Sequence, residues 1–202
     1  MRLRRVTVAD MVQREFILGG QKSGKSRRAE QLAADWLAAD GAHRAVLIAT
    51  AQAHDDEMRA RIRRHQRDRA ERVPALQTVE APRDLAAALA AHSRAGTLAV
   101  VDCLTLWLTH WLMPHADTGS EQNTLLVQDW PAQTAHFFEV LGAAPGPVVL
   151  VGNEIGLGVV PLGREVRAFV DALGALNQRV AAACDRVTLM VAGCPLALKG
   201  SL

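Results

Sequence analysis

Apolar runs of strand length alternate with stretches of helical period along this chain, and that alternation leaves few folds open. "EFILG" (15–19), "RAVLIAT" (44–50), "LQTVE" (76–80), "TLAVVDC" (97–103), "PVVLVGN" (147–153) and "RVTLMVAG" (186–193) read as strands. "TLAVVDC" and "PVVLVGN" are continuously apolar, as strands buried on both faces of a parallel sheet must be. Between the runs, 25–40, 55–72, 82–94 and 164–184 carry helical spacing, the third opening on Pro82, where a helix tolerates proline. Strands separated by helices require right-handed crossovers. The expected fold is therefore α/β, a doubly wound and mostly parallel sheet flanked by helices.

At 202 residues the chain suits one such domain, expected over 14–202 after an N-terminal extension over 1–13. The extension "MRLRRVTVADMVQRE" is basic but has no apolar segment behind it, so a secretory signal is not expected. Cys103, Cys184 and Cys194 are odd in number and lack metal-binding spacing, which favours reduced thiols and a cytoplasmic protein over a disulfide framework or zinc site. "TLAVVDCLTLWLTHWLM" contains Asp102 and His110 and reads as a buried strand running into an amphipathic helix, not a membrane span. The segment 114–122 reads as a surface loop.

"FILGGQKSGKS" places chemistry on the first strand. Gly19, Gly24, Lys25 and Ser26 satisfy the phosphate-loop pattern, with Gly20, Gln21, Lys22 and Ser23 inside it, after a strand and before a helix. Glycines let the backbone turn so that N–H groups face phosphate oxygens, and the helix N-terminus adds positive potential. Lys25 would neutralise the β and γ phosphates, and Ser26 would ligate Mg²⁺. Such enzymes also use a carboxylate at a neighbouring strand end toward the metal. Asp102, closing "AVVD", fits that role; it equally fits an N-cap for the helix that follows, and the two are compatible.

The helix "DDEMRARIRRHQRDRAER" carries Arg61, His65 and Arg69 at i, i+4 and i+8, on one face. Met58, Ile62 and His65 form an overlapping stripe that could anchor the helix on the sheet. Flanking guanidinium groups disfavour the charged imidazole and leave it neutral and nucleophilic. Three readings stand for His65: a structural histidine, part of a nucleic-acid-binding helix, or a covalent nucleophile on phosphorus. The interspersed Asp68 and Glu71 and a net charge of only +2 weaken the second.

Taken together, "LGGQKSGKSRRAEQL", "IATAQAHDDEMRARIRRHQRDR", "VDCLTLWLTHWL", "VGNEIGLGVVP" and "LNQRVAAACDRVTLMVAG" resemble the bifunctional adenosylcobinamide kinase/adenosylcobinamide-phosphate guanylyltransferase family of cobalamin biosynthesis. The resemblance runs from about Phe16 to Gly193 and implies a RecA-like P-loop fold. It implies phosphoryl transfer from ATP or GTP to the aminopropanol hydroxyl of adenosylcobinamide. GMP from GTP then passes, through a guanylyl-histidine, to that phosphate, giving adenosyl-GDP-cobinamide. His65 would carry the GMP; relatives with two adjacent histidines leave this ambiguous, whereas here Arg64 precedes a single His65. By the same resemblance Thr50, Gln66, Arg67, Asp68, Arg69, Glu80 and Asp102 match positions contacting the guanine nucleotide, while Arg61 and Arg69, flanking His65, could hold the phosphates that it attacks. It also implies Mg²⁺, no nucleic-acid partner, and a homo-oligomer, a trimer. Glu80 has an ordinary reading as a strand-end acid, and "NEIGLGVVP" reads either as a substrate-side loop or as turn chemistry. The chain departs from the family pattern at Gln21 and Lys22 (commonly Ala-Arg), at Val170 and Ala175 (commonly arginines), and in an insertion around His115 to Gln122. The rival assignments are a single-step P-loop small-molecule kinase with a structural His65 and a nucleotide-dependent binding module.

Overall fold

A computed structural model describes residues 13–53, 55–113 and 120–202, with backbone alone over 120–127. The strands are β1 (Arg14–Gly19), β2 (Arg44–Ala49), β3 (Leu76–Glu80), β4 (Thr97–Asp102), β5 (Val148–Val151), β6 (Arg186–Val191) and β7 (Cys194–Lys199). The helices are α1 (Lys25–Ala39), α2 (Asp56–Arg72), α3 (Leu85–His92), α4 (Leu104–Leu112), α5 (Ser120–Ala143) and α6 (Arg164–Ala183). One sheet takes all seven strands in the order β3-β2-β4-β5-β1-β6-β7. Every pair is parallel except β6–β7. This is the doubly wound α/β sheet expected from the sequence.

Alternate residues of the central strands feed two cores. Phe16, Val46, Ile48, Val101 and Leu150 pack under α3, α4, α5 and α6 with Trp107, Phe137 and Leu176. Ile17, Leu47, Val100 and Val149 face the other way, onto Ala29, Ala33 and Trp36 of α1. Continuous apolarity in β4 and β5 is thus explained: both faces are covered.

One helix covers neither face. α2 buries no residue, and its Met58–Ile62 stripe is only half covered while His65 is exposed. The expected anchoring of His65 on the sheet is therefore corrected. With so few apolar side chains, α2 is held by polar contacts at its C-terminal end. Arg72 pairs with the buried Glu30 of α1 and, at 3.3 Å, with Asp68. Its N-terminus is capped by Asp55, which accepts from the Met58 N–H at 2.6 Å.

Three boundaries differ from expectation. α3 starts at Leu85, not at Pro82, because the Pro82–Asp84 stretch forms a turn whose Arg83 carbonyl accepts from Leu85 N and from the Trp107 indole. α5 is unforeseen; Pro131 inside it interrupts the helical signal, and its first residues overlap the segment expected as a loop. The rest of that loop, 114–119, and the extension over 1–12 lie outside the described residues. β7 is also new. Ala192 (φ 51°) and Gly193 (φ 82°) both take left-handed conformations, the geometry of a tight hairpin, and Pro195 is tolerated because β7 is an edge strand.

Candidate active site

The carboxyl ends of β1, β2, β4 and β5 lie side by side, and the expected site residues follow from them. After β1 the chain turns through Gly19 (φ 152°) and Gly24 (φ 102°) into α1. A Cβ on Gly19 would stand 2.5 Å from the Met190 carbonyl oxygen and 2.6 Å from Ser23 Oγ, so only glycine fits. The loop is braced from the β6–β7 turn, where Gly193 N donates to the Ser23 carbonyl at 3.0 Å. Lys25 is buried, and its Nζ donates to the Gly20 carbonyl at 2.6 Å, curled over the loop. Burial lowers the Lys25 pKa and Arg61 adds to that, while Asp102 opposes it.

α2 bears on this loop through Arg61. With the Gln21 amide oxygen turned toward it, Arg61 donates from both Nη atoms at 3.0 and 3.1 Å. Gln21, one of the departures from the family pattern, thereby ties the phosphate loop to the histidine helix. His65 lies one turn further along. Although its ring reaches solvent, partial burial is the largest influence on it and lowers its pKa; Arg61 and Arg64 act in the same direction, and Asp102 and Asp68 oppose. The expected direction is found with a changed pair of arginines. Arg69 instead donates to Thr78 Oγ1 of β3 at 3.1 Å.

Asp102 ends β4 with its side chain half exposed. The N-cap of α4 is Cys103, so the capping reading of Asp102 does not hold. Among the described residues its carboxylate has no hydrogen bond or ion pair, and it acts electrostatically on Lys25 and His65 alike. Ser26 supplies a hydroxyl at the start of α1. A hydroxyl and a carboxylate are hard oxygen donors suited to Mg²⁺, which binds through one or two protein groups plus phosphates and not in an all-protein cage. No group of three or more His, Cys, Asp or Glu that could hold a metal occurs among the described residues.

Other expected contacts separate. Thr50 is wholly buried, and its hydroxyl donates to the Cys103 carbonyl (2.7 Å) and accepts from the Cys103 N–H (2.9 Å). Its side-chain hydrogen bonds are thus made inside the protein, to the backbone of Cys103. Asp68 is likewise engaged by Arg72, and Arg69 by Thr78, which leaves Gln66 and Arg67 as the outward-facing members of "QRDR". Glu80 is exposed at the end of β3, on the wall of a cavity of about 490 Å³ shared with Gln52, Arg83, Asp84 and His92. The "NEIGLGVVP" segment leaves β5 beside the phosphate loop: Glu154 N donates to the Gly19 carbonyl at 3.1 Å and Asn153 N to Thr105 Oγ1 at 2.8 Å. Leu157, Val159 and Val160 within it, and Leu162 just after it, are exposed.

A glycine-rich loop, its lysine and a carboxylate two strands away on a mostly parallel sheet define the class: a P-loop α/β protein. Comparison with known proteins narrows it. The family model for cobinamide kinase/cobinamide phosphate guanyltransferase matches residues 15–198, and the chain belongs to that family. It is 47% identical over 190 residues to the bifunctional adenosylcobalamin biosynthesis protein CobP of Pseudomonas aeruginosa, covering 93% of this chain and 98% of that one. It is 36% identical over 192 residues to CobU of Salmonella typhimurium and 34% identical over 187 residues to CobU of Escherichia coli. Each of these two comparisons covers 91% of this chain and 98% of the relative. The flagellar accessory protein FlaH of Methanocaldococcus jannaschii superposes with a TM-score of 0.47 at 11% identity, over 93% of this chain and 78% of FlaH. The chain is therefore a bifunctional enzyme, a kinase and guanyltransferase of adenosylcobalamin biosynthesis. No described helix is long and apolar enough to cross a membrane.

Proposed function

We propose that this chain phosphorylates the aminopropanol hydroxyl of adenosylcobinamide with ATP or GTP, and then moves GMP from GTP through His65 to that phosphate, yielding adenosyl-GDP-cobinamide. The observation that carries the reading is the contact between Arg61, one turn before His65 on α2, and Gln21 inside the phosphate loop, at 3.0 and 3.1 Å. It supports a histidine and a triphosphate cradle acting in one site, and Asp102 and Arg61 influence both Lys25 and His65.

In the first reaction Lys25 and the loop N–H groups hold the β and γ phosphates while the acceptor hydroxyl attacks the γ-phosphorus; the bond to the β–γ bridging oxygen breaks, the nucleoside diphosphate leaves, and the hydroxyl proton passes to solvent. In the second, the neutral imidazole of His65 attacks the α-phosphorus, the bond to the β-phosphate oxygen breaks, and pyrophosphate leaves. A phosphate oxygen of the cobinamide phosphate then attacks the same phosphorus, the N–P bond breaks, and the imidazole is regenerated. Arg61 and Arg64, whose charges both act on His65, would hold the phosphate that it attacks. Ser26 and Asp102 are the residues that would hold Mg²⁺, which when bound neutralises phosphate charge.

Incubation with α-phosphate-labelled GTP tests the reading. Acid-labile, base-stable label mapping to His65 is the expected result; an unlabelled protein that still phosphorylates cobinamide would reduce it to a one-step kinase.

The pH dependence has a defined sign. Because the His65 pKa lies below its ordinary value of 6.5, the attacking neutral form predominates at pH 7 and is lost only as acid carries the pH through the lowered value. Labelling rates measured between pH 5 and 8 should show an acid limb with its midpoint under 6.5. A midpoint above 6.5 contradicts the assignment.

The cavity beside Glu80 suits the base. A carboxylate there can accept from the N1–H and exocyclic amino group of guanine, a pair that adenine does not offer. Glu80→Gln keeps the size and loses the charge, and should reduce kcat/KM for guanylylation by about ten- to a hundredfold. Inosine triphosphate, which lacks the exocyclic amine, should lose less than GTP does on this substitution; equal losses would place the base elsewhere.

A further inference from the structure

We propose that Thr50 and His110 are positioning residues for Asp102: together they clamp the end of β4 so that its free carboxylate is held toward the phosphate loop. The inference rests on the role given to Asp102 above and extends it to two residues outside the phosphate loop and α2.

Four hydrogen bonds converge on Thr50, the residue just past β2. Its N–H donates to the Asp102 carbonyl at 3.1 Å. Its hydroxyl brackets Cys103, donating to the carbonyl and accepting from the N–H, so residues 102 and 103 are held at three points. Its own carbonyl meets His110 Nε2 at 2.8 Å. A carbonyl can only accept, so Nε2 carries the hydrogen. His110 is itself buried, on a helix whose sequence "LTLWLTHWL" otherwise offers leucine and tryptophan to the core.

β2 and β4 do not need these bonds to stay together. They are already paired along their whole length, from Arg44 opposite Thr97 to Ala49 opposite Asp102. A valine would suit a fully buried strand end without any polar demand. The additional bonds begin where pairing ends, at the one residue whose side chain must be aimed. Because the Asp102 carboxylate has no hydrogen-bond or ion-pair partner among the described residues, where it stands depends on the backbone that carries it. That backbone is what Thr50 holds, and His110 fixes Thr50 from α4. Outer partners of this kind commonly influence metal affinity as strongly as they influence rate.

The test compares Thr50→Val, which keeps shape and loses the hydroxyl, with Thr50→Ser, which keeps the hydroxyl. Mn²⁺ is titrated into the enzyme saturated with a non-hydrolysable GTP analogue, and free Mn²⁺ is read by electron paramagnetic resonance. Thr50→Val should weaken Mn²⁺ binding about tenfold or more, and Thr50→Ser should restore it to near the unsubstituted value. If Thr50→Val does not fold, His110→Gln, which retains a donor, against His110→Met makes the same comparison from the other end. A fall in melting temperature with unchanged Mn²⁺ affinity would make the cluster purely structural and overturn the proposal, as would equal weakening in the valine and serine variants. Absence of GTP label on the unsubstituted enzyme would instead overturn the guanylyl-histidine reading, leaving the Mn²⁺ comparison intact.

Discussion

With His65 replaced by alanine, α-phosphate-labelled GTP is expected to leave no acid-labile label on the protein, and transfer of GMP to cobinamide phosphate should stop. Removal of a covalent nucleophile typically lowers a rate by about 10⁴- to 10⁶-fold, which places the variant at the detection limit. Phosphoryl transfer should persist, because the γ-phosphate is held by the loop and Lys25. A trivial loss through misfolding is not expected. His65 is exposed on a helix that buries no residue, and alanine has the better helix propensity, so the melting temperature should hold or rise slightly. Two assays and a melting curve therefore separate three outcomes. Loss of guanylylation alone supports the nucleophile; loss of both activities with an intact fold implicates His65 in triphosphate binding; retention of both makes it a surface residue.

Much of this site could be read from the chain, and the limits of that reading have physical causes. The phosphate loop is legible because its chemistry is local: glycine conformations, a lysine and a helix start all fall within eight residues. The alternation of strands and helices is legible because burial on both faces of a sheet imposes composition. By contrast, α5 is masked by Pro131 and β7 by Pro195, since a single residue can erase a periodic signal that packing later overrides. Side-chain pairing across the fold is not written in spacing. Helical periodicity put Arg61, His65 and Arg69 on one face correctly, but Thr78 on another element claims Arg69, and Arg64 takes its place beside His65. Thr50 shows the same limit: its hydroxyl bonds to Cys103, 53 residues away, and no local pattern encodes that pairing. The Gln21–Arg61 contact joins two segments about forty residues apart, which no local pattern encodes.

Lys25→Ala should depress both reactions together, by about 10²- to 10³-fold or more, the loss usual when one charged or hydrogen-bonding group is removed from a preorganised site. The reasoning is that one cradle serves both steps. Phosphoryl transfer needs the γ-phosphate neutralised as the acceptor attacks, and guanylyl transfer needs the departing pyrophosphate neutralised as His65 attacks. The same ammonium group does both. Stability should move the other way or not at all. Burial lowers the Lys25 pKa below 10.5, which means that the fold disfavours the charged form it must hold at neutral pH. Removing that charge relieves the penalty and leaves only the Gly20 carbonyl, in an exposed loop position where water can replace the lost 2.6 Å bond. Thermal unfolding and both transfer assays on the same preparation check this. A stable protein with both activities lost is the result expected of a shared triphosphate site. A variant that loses phosphoryl transfer yet still labels His65 from GTP would show that the α-phosphate is presented to the histidine from a second nucleotide position, and the single-cradle account would fall.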